Sequence, residues 1–353
     1  MDLLHSHGIS AIQHLQENYR GALGFLNLMS AVGDPRNTFL LYFPAWFHLS
    51  RRVGTQMIWV AVIGDWCNLI LKWIMFGQRP YWWVQETSIY RGNATPQLEQ
   101  FPITCETGPG SPSGHAMGSA CVWYVMVTAV LAHLKKAGGD TRYRCVRIFL
   151  WTLFWVIQLS VCVSRVFVAT HFPHQVILGV LAGMLVAEAF NHTSWIYSAS
   201  SRQYSAVTLA LFLFALGLYL LLKLIDVDLL WSVERATKWC ANPDWIHMDT
   251  MPFSGLYRNL GALFGLGLAV NLKASQRGFS KKKMMQGSLK GLSMVISLAA
   301  LQLLDYLRIP TSSPFLFYAL SFCKCAIIPL MTVAFVPSCI EWITNSKDEK
   351  AFV

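Results

Sequence analysis

The chain has 353 residues, of which 54% are hydrophobic and only 13% are charged. This composition excludes an ordinary soluble domain and indicates an integral membrane protein. The formal net charge of +10 does not require a nucleic-acid partner, because the lysines and arginines concentrate in loops between apolar runs.

Apolar runs of about 20 residues, the length that crosses a bilayer as a helix, recur along the chain. They predict an all-α, polytopic membrane protein with about nine transmembrane helices. The predicted ranges, in chain order, are 24–47, 56–76, 114–134, 147–167, 171–190, 205–224, 254–272, 291–307 and 315–343.

The basic loops orient these helices. With nine spans, the loops rich in lysine and arginine share one side with the C-terminal tail, and the positive-inside rule makes that side cytoplasmic. The basic positions are Arg51, Arg52, Lys135, Lys136, Arg142, Arg144, Arg147, Arg202, Lys273, Arg277, Lys281 to Lys283, Lys290, Lys347 and Lys350. The N-terminus lies on the opposite, exoplasmic side with the loops 77–113, 165–171, 225–253 and 308–314.

Two N-glycosylation sequons lie on opposite sides of this map. The sequon NAT at Asn93 falls in the long exoplasmic loop, so we predict a glycan there. The sequon NHT at Asn191 falls on the cytoplasmic side and should stay unmodified.

Most of the nine cysteines lie inside predicted helices, where they act as small apolar residues. Cys105 and Cys240 lie clearly in exoplasmic loops, where they form either a disulfide in an oxidising compartment or two free thiols. No cysteine and histidine spacing is typical of a zinc site, so we predict no metal and no other cofactor.

Three short fragments carry the residues with the most chemical potential. They are 72–80 (KWIMFGQRP), 111–115 (SPSGH) and 164–171 (SRVFVATH).

The predicted topology brings these fragments to one membrane face. Arg79 follows the second predicted helix, His115 begins the third, Arg165 ends the fourth and His171 begins the fifth. Because successive helices alternate in direction, all of these helix ends fall on the exoplasmic side. Lys72 precedes Arg79 by about two helical turns, on the same helical face.

These residue types suit phosphoryl transfer. Arginine forks bind phosphate oxygens bidentately and stay charged. A neutral imidazole can attack phosphorus, and a protonated imidazole can donate a proton to the leaving alkoxide. Ser113 and the amide of Gly114 lie where a helix is predicted to begin, a position that favours anions.

The spacing of the motif residues resembles that of the phosphatidic acid phosphatase type 2 (PAP2) superfamily, which includes lipid phosphatases and vanadium haloperoxidases. The matching segments are Lys72 to Arg79-Pro80, Pro112 to His115, and Ser164-Arg165 to His171. The chain is similar nearly from end to end to the glucose-6-phosphatase branch, for example in the stretches WVAVIGDW and HFPHQV. The resemblance implies one membrane phosphatase domain over 1–353. Within it, a helical core like that of the haloperoxidases spans about 56–190, followed by extra helices over 205–343.

The resemblance also implies an activity. It is hydrolysis of glucose 6-phosphate to glucose and phosphate through a phosphohistidine, the final step of gluconeogenesis and glycogenolysis. The reaction is expected in the lumen of the endoplasmic reticulum, with substrate delivered by a separate transporter and without a metal. By position, His171 would be the nucleophile and His115 the proton donor. The phosphate would be held by Lys72, Arg79, Ser113, Gly114 and Arg165.

One position departs from the superfamily pattern, because Gln175 stands where an aspartate follows the nucleophile. We expect the Gln175 amide to accept a hydrogen bond from the imidazole of His171. Asp34, inside the first predicted helix, is a candidate substitute acid or a ligand for sugar hydroxyls; the alternative is a structural ion pair with Arg36. His174 is expected beside the site rather than in the chemistry.

Three other functions remain open at this point. A lipid phosphate phosphatase would use the same motifs, with a cleft that opens sideways to the bilayer. A membrane paralogue with weak catalysis would keep the pocket. A transporter is the third alternative, although no internal repeat supports it.

Overall fold

The computed structural model describes residues 1–90, 94–137, 140–272, 287–311 and 313–351. Throughout these ranges all regular structure is helical, which confirms the all-α class. The α-helices are α1 Asp2–Asn18, α2 Leu23–Val32, α3 Pro35–Asn37, α4 Phe43–Leu49, α5 Arg51–Met75, α6 Pro80–Glu86, α7 Gly114–Ala137, α8 Asp140–Phe167, α9 Pro173–Asn191, α10 Ser201–Leu224, α11 Trp231–Trp239, α12 Pro252–Asn271, α13 Gly287–Tyr306, α14 Pro314–Leu330 and α15 Val336–Ala351. Two π-helical segments, Thr38–Tyr42 and Met331–Phe335, join neighbouring helices.

Seven helical segments of the described chain are long and apolar enough to cross a membrane. They confirm a polytopic membrane protein, while the count of nine stays a prediction. The first predicted helix, 24–47, is broken in the structure, because α2 ends at Val32 and only short helical pieces follow. Pro35 explains the break, since a proline disfavours helical backbone at the residue before it, here Asp34. The seventh predicted range corresponds to α12, which is not among the seven segments.

The chain divides into two compact units, and a single domain over the whole chain stays a prediction. The first unit comprises Met1–Pro35, Ile63–Asn191 and Ala215–Gly255. The second comprises Arg36–Val62, His192–Phe214 and Leu256–Val353.

In the first unit, α7 packs closely against α9. Gly179 and Gly183 of α9 make this possible, because a Cβ at these positions would collide with the backbone of Ser113, just before α7, and of Met117 in α7. Small residues at a helix interface let two backbones approach, as is common in membrane proteins.

A disulfide joins Cys105 to Cys240 across 135 residues of sequence, so the disulfide alternative is the one that the structure contains.

In the second unit, α12 packs against α14 in the same way. A Cβ at Gly261 or Gly265 would collide with the carbonyl groups of Phe322 and Ala326. The buried indole of Trp59 donates a hydrogen bond of 3.0 Å to the hydroxyl of Tyr204.

All of the predicted site residues except Asn93 lie in the first unit. Asn93 lies outside the described residues.

Candidate active site

The turn between α8 and α9 places Arg165 and His171 side by side. The carbonyl oxygen of Arg165 accepts hydrogen bonds from the backbone amides of both Thr170 and His171. Ala169 adopts the left-handed backbone conformation, with a φ of 55°, which reverses the chain within this turn. The short spacing of the third fragment therefore brings the guanidinium of Arg165 and the imidazole of His171 together where α8 ends and α9 begins.

Two loops, 76–79 and 108–113, meet next to this turn. Gly110 donates its backbone amide to the carbonyl of Gly77 at 2.7 Å. Neither position has room for a side chain, because a Cβ on Gly77 would strike Ser111 and a Cβ on Gly110 would strike the carbonyl of Gln78. Glycine is required at both positions for this close approach of the two backbones.

Arg79 ties the loops to the turn. Its Nε donates to the carbonyl of Gly108 at 2.7 Å, and its Nη1 donates to the carbonyl of Thr170 at 3.2 Å. Its Nη2 reaches a carboxylate oxygen of Glu106 at 2.9 Å. The guanidinium is fully buried, and each arm of its planar fork has a separate partner.

The ring of His171 is held in one orientation by Gly110. Its Nδ1 donates a hydrogen bond of 2.8 Å to the Gly110 carbonyl, which can only accept. The other ring nitrogen, Nε2, is buried and has no hydrogen-bond partner among the described residues. In the neutral ring the lone pair therefore lies on Nε2.

The charge state of His171 follows from its surroundings in the turn, outside the flanking membrane helices. Burial, and then the positive charge of Arg79, lowers the pKa of His171 well below its ordinary value. A carbonyl partner fixes the tautomer without adding the negative charge that would favour the imidazolium. His171 is therefore neutral at physiological pH.

A carboxylate absent from the predicted set, Glu106, lies at the centre of the site. Its Oε2 is 2.9 Å from Nη2 of Arg79, and its Oε1 is 2.5 Å from Nη2 of Arg165. The same oxygens lie 3.9 Å from Nε2 of His171 and 3.7 Å from Nδ1 of His115. Burial raises the pKa of Glu106, but the guanidinium groups of Arg165 and Arg79 outweigh this effect and hold it well below its usual range.

The other predicted phosphate ligands surround this centre. Lys72 acts electrostatically on both arginines and on Glu106, and its Nζ lies 3.9 Å from the point where a Cβ of Gly108 would stand. Ser113 caps α7, because its Oγ accepts a hydrogen bond from the amide of Ala116 at 3.5 Å. Gly114 is the first residue of α7, so the amides at this helix end add partial positive charge.

Gln175 does not contact the imidazole of His171 in the way expected from the sequence. Its Oε1 accepts from the amide of Phe172 at 3.1 Å, and its Nε2 donates to the carbonyl of Gln78 at 2.7 Å. Both bonds brace the backbone around the ring. The carbonyl of Gly110 takes the role of acceptor because the close approach of two loops brings it there.

Asp34 lies in the break after α2, and its charge acts on His115 and Arg165. An acid that does face the ring of His171 is Glu106, whose Oε2 lies 3.9 Å from Nε2. His174 lies beside the site, where its ring stacks on that of Phe172 at a centroid distance of 5.7 Å.

Sequence reasoning missed Glu106 and Gly110, which lie just before the second motif fragment, 111–115. Glu106 is the one acidic residue between 101 and 115, and a carboxylate in an exoplasmic loop is ordinarily solvated. A possible signal was the surplus of positive charge, since Arg79, Arg165 and Lys72 need a buried anion in a membrane protein.

The arrangement provides what an in-line phosphoryl transfer requires. Two imidazoles flank the same point, and two guanidinium groups and a lysine supply positive charge to it. A reacting atom between them would lie close to both the base and the charged donors. Within the described ranges, no group of three His, Cys, Asp or Glu side chains is arranged to hold a metal ion.

Known proteins resemble this chain over most of its length. Residues 53–199 match the PAP2 superfamily. "Glucose-6-phosphatase 2" of Mus musculus is 59% identical in an alignment of 353 positions that covers 99% of each chain. The protein of the same name from Homo sapiens is 59% identical, covering 99% of this chain and 100% of its own. "Glucose-6-phosphatase catalytic subunit 1" of Canis lupus familiaris is 49% identical over 99% of each chain. No solved structure matches the chain.

Proposed function

Because the chain belongs to the glucose-6-phosphatase family within the PAP2 superfamily, we propose that it hydrolyses glucose 6-phosphate to glucose and phosphate. The observation that carries the proposal is the ring of His171. Its Nδ1 proton is committed to Gly110, and its buried Nε2 faces the position between the two arginines.

In the first step, His171 acts as the nucleophile. Its Nε2 lone pair forms a bond to phosphorus while the bond between phosphorus and the sugar oxygen breaks. His115, on the other side of the same point, donates a proton to the departing oxygen, and glucose leaves as the free alcohol. The product on the enzyme is a phosphohistidine.

In the second step, His115 acts as the base. It takes a proton from a water molecule whose oxygen bonds to phosphorus as the bond between phosphorus and Nε2 breaks. Phosphate leaves, and His171 returns to its neutral form, with the proton on Nδ1 still donated to the carbonyl of Gly110. The proton that His115 gave to the sugar is thereby replaced.

The phosphoryl oxygens are held by positive charge and by amides. Arg79 and Arg165 offer planar forks, Lys72 adds a third charge, and Ser113 and Gly114 present the N-terminus of α7. The charge that spreads over the equatorial oxygens in the transition state is stabilised by donors that are already oriented.

The activity is tested with purified protein in detergent, with glucose 6-phosphate as substrate. Hydrolysis should survive a metal chelator and should disappear in His171→Ala, which forms no phosphoenzyme. His115→Ala should still form some phosphoenzyme from a substrate with a good leaving group. His133→Ala, an exposed change on the same helix as His115, should retain activity. A phosphoenzyme in His171→Ala would refute the assignment of the nucleophile.

The same preparation distinguishes the sugar phosphate from a lipid. Faster hydrolysis of phosphatidic acid than of glucose 6-phosphate would move the protein to the lipid phosphatases. Asp34, near His115, is the proposed contact for sugar hydroxyls. Asp34→Asn should therefore raise KM for glucose 6-phosphate more than KM for an aryl phosphate, and equal effects would discard the sugar contact.

The proposed location is the endoplasmic reticulum membrane, with the active site in the lumen and the C-terminus in the cytosol. The disulfide between Cys105 and Cys240 supports this side, because disulfides persist in oxidising compartments. Asn191 lies at the far end of α9 from His171, about 28 Å along the helix, so the proposed orientation places it on the cytosolic side. A separate transporter would then deliver glucose 6-phosphate to the lumen.

Glycan mapping tests this orientation. Asn93→Gln should remove a glycan from the luminal loop, and Asn191→Gln should change nothing. A glycan at Asn191 would reverse the proposed topology.

A further inference from the structure

The positive charges of the site already have an anion between them. The two oxygens of Glu106 take one bond from each of Arg79 and Arg165. The carboxylate also lies between the imidazoles of His115 and His171. A phosphoryl group in the reaction would need the same donors and the same distance from Nε2.

Burial shows that the carboxylate lies on the outer side of these donors. The side chains of Arg79, Arg165 and His171 are 0% exposed, whereas those of Glu106 and His115 are 19% and 21% exposed. A phosphate that approaches the arginines from the exterior therefore meets Glu106 and His115 first. It cannot share the arginines with the carboxylate, because two adjacent anions repel each other strongly at a buried site.

The backbone on each side of Glu106 is anchored. Cys105 is bonded to Cys240, and the hydroxyl of Thr107 donates to the carbonyl of Thr250 at 2.8 Å. Movement of the carboxylate thus requires rotation of one side chain rather than displacement of the loop. His115 is within reach of that rotation, since its Nδ1 already lies 3.7 Å from Oε1.

We propose that Glu106 and the phosphoryl group of the substrate are alternative occupants of one anion site, and that the displaced carboxylate pairs with His115. This inference rests on the proposed function of the site. The exchange keeps the buried arginines paired with an anion before and after substrate binding. It also brings the carboxylate from 3.7 Å to within hydrogen-bond distance of His115 when phosphate is present, so the proton donor is oriented for the leaving oxygen at that stage. Glu106 is a positioning residue, because it acts through His115.

The test compares the Glu106→Gln variant with the wild type, both as full-length protein, using inorganic phosphate and orthovanadate as probes. Removing the competing charge should tighten phosphate binding about tenfold, read as a larger thermal stabilisation at each phosphate concentration. The kcat for glucose 6-phosphate should fall about 100-fold, because His115 loses its partner. The matched control is Glu99→Gln, a partly exposed acid paired with Arg20 earlier in the same connection, which should change neither quantity.

A purely structural role would give a different result. If Glu106 only braced the arginines, Glu106→Gln would weaken phosphate binding and kcat together, and the proposal would be wrong. If that variant does not fold, Glu106→Asp keeps the charge on a side chain too short to span both guanidinium groups. It too should bind phosphate more tightly than the wild type, and unchanged affinity would overturn the exchange. Phosphate affinity is read without turnover, so an inactive wild type would refute the proposed function alone.

Discussion

Two histidines three residues apart, His171 in the turn before α9 and His174 in the first turn of α9, have opposite surroundings. On one side of the turn is the charged cluster, which comprises Arg79, Glu106, His115, Arg165 and His171. On the other side is the aromatic stack, which comprises His5, Trp83, Phe172 and His174. In the cluster, His171 has a fixed Nδ1 partner and a free Nε2 between charges. In the stack, His174 lies against Phe172 and has a buried Nδ1 with no partner in the described chain.

The aromatic stack uses its histidines as flat rings. The ring of His5 lies 4.4 Å from that of Phe172, with an interplanar angle of 17°, and Trp83 meets both rings edge-on. Stacking of this kind contributes packing free energy and anchors α1 against the turn. The comparison teaches that neighbouring charges, rather than the imidazole itself, decide which histidine can do chemistry.

Substitution of His171 and of His174 gives the sharpest test of this comparison. His171→Ala should lower kcat by at least about 1,000-fold, because the covalent route is lost. His174→Phe should keep kcat within about threefold, since a phenyl ring can replace a stacked imidazole. Steady-state hydrolysis of glucose 6-phosphate measures both. Equal losses in the two variants would show that the stack takes part in catalysis.

Within the charged cluster, the shape of the cation should matter as much as its charge. Arg79→Lys keeps the charge but cannot reach Gly108, Thr170 and Glu106 at once. We expect kcat/KM to fall about 100-fold, because a point charge does not replace a planar fork. The exposed change Arg20→Lys serves as the control. Activity close to wild type in Arg79→Lys would show that only the positive charge of Arg79 matters and that its three hydrogen-bonding arms do not.

The hydrogen bond between His171 and Gly110 can be disturbed without touching a charge. Gly110→Ala would push the backbone against the carbonyl of Gln78 and shift the acceptor of Nδ1. We expect kcat to fall about tenfold with the fold retained. Gly21→Ala, where nothing lies within 4 Å of the added methyl group, should be silent. An unchanged kcat in Gly110→Ala would mean that the ring does not need this carbonyl.

The smallest effect is expected in the aromatic stack, and on stability rather than on rate. Burial, and then the nearby His174, lowers the pKa of His5 from 6.5 to about 4. The unfolded chain therefore binds a proton first as the pH falls, and stability is lost between about pH 6.5 and 4. His5→Phe should lose about 2 °C less of Tm across this window than the wild type does. An identical pH dependence of Tm would show that His5 does not carry this loss.

The arrangement of the site was largely predictable from local spacing. Apolar runs of membrane length predict the membrane face on which each helix end lies. The position of each motif residue relative to these runs then predicts the helix end where it is found. That reasoning brought Arg79, His115, Arg165 and His171 together, and the structure places all of them around one point. It also predicted the seven segments that are long and apolar enough to span the membrane.

The partners inside the site were not predictable, since they come from distant loops. Gly110 is 61 residues from the ring that it orients, and Glu106 is 59 residues from Arg165. Gln175 has the right sequence spacing for the imidazole, yet its amide bonds to Gln78, which is 97 residues away. Spacing along a helix cannot predict which of these possible hydrogen-bond partners is used, because the choice depends on which backbone groups the packed loops leave unpaired.

The amino-acid sequence by itself determined the membrane class, the helix ends and the inventory of phosphate-binding side chains, because periodicity and charge act locally. Only the tertiary structure decided which anion the arginines hold and which carbonyl orients His171. Buried charges and polar groups must find partners wherever the fold brings them close. The disulfide and the glycine contacts between loops position those partners, and neither can be read from a single segment.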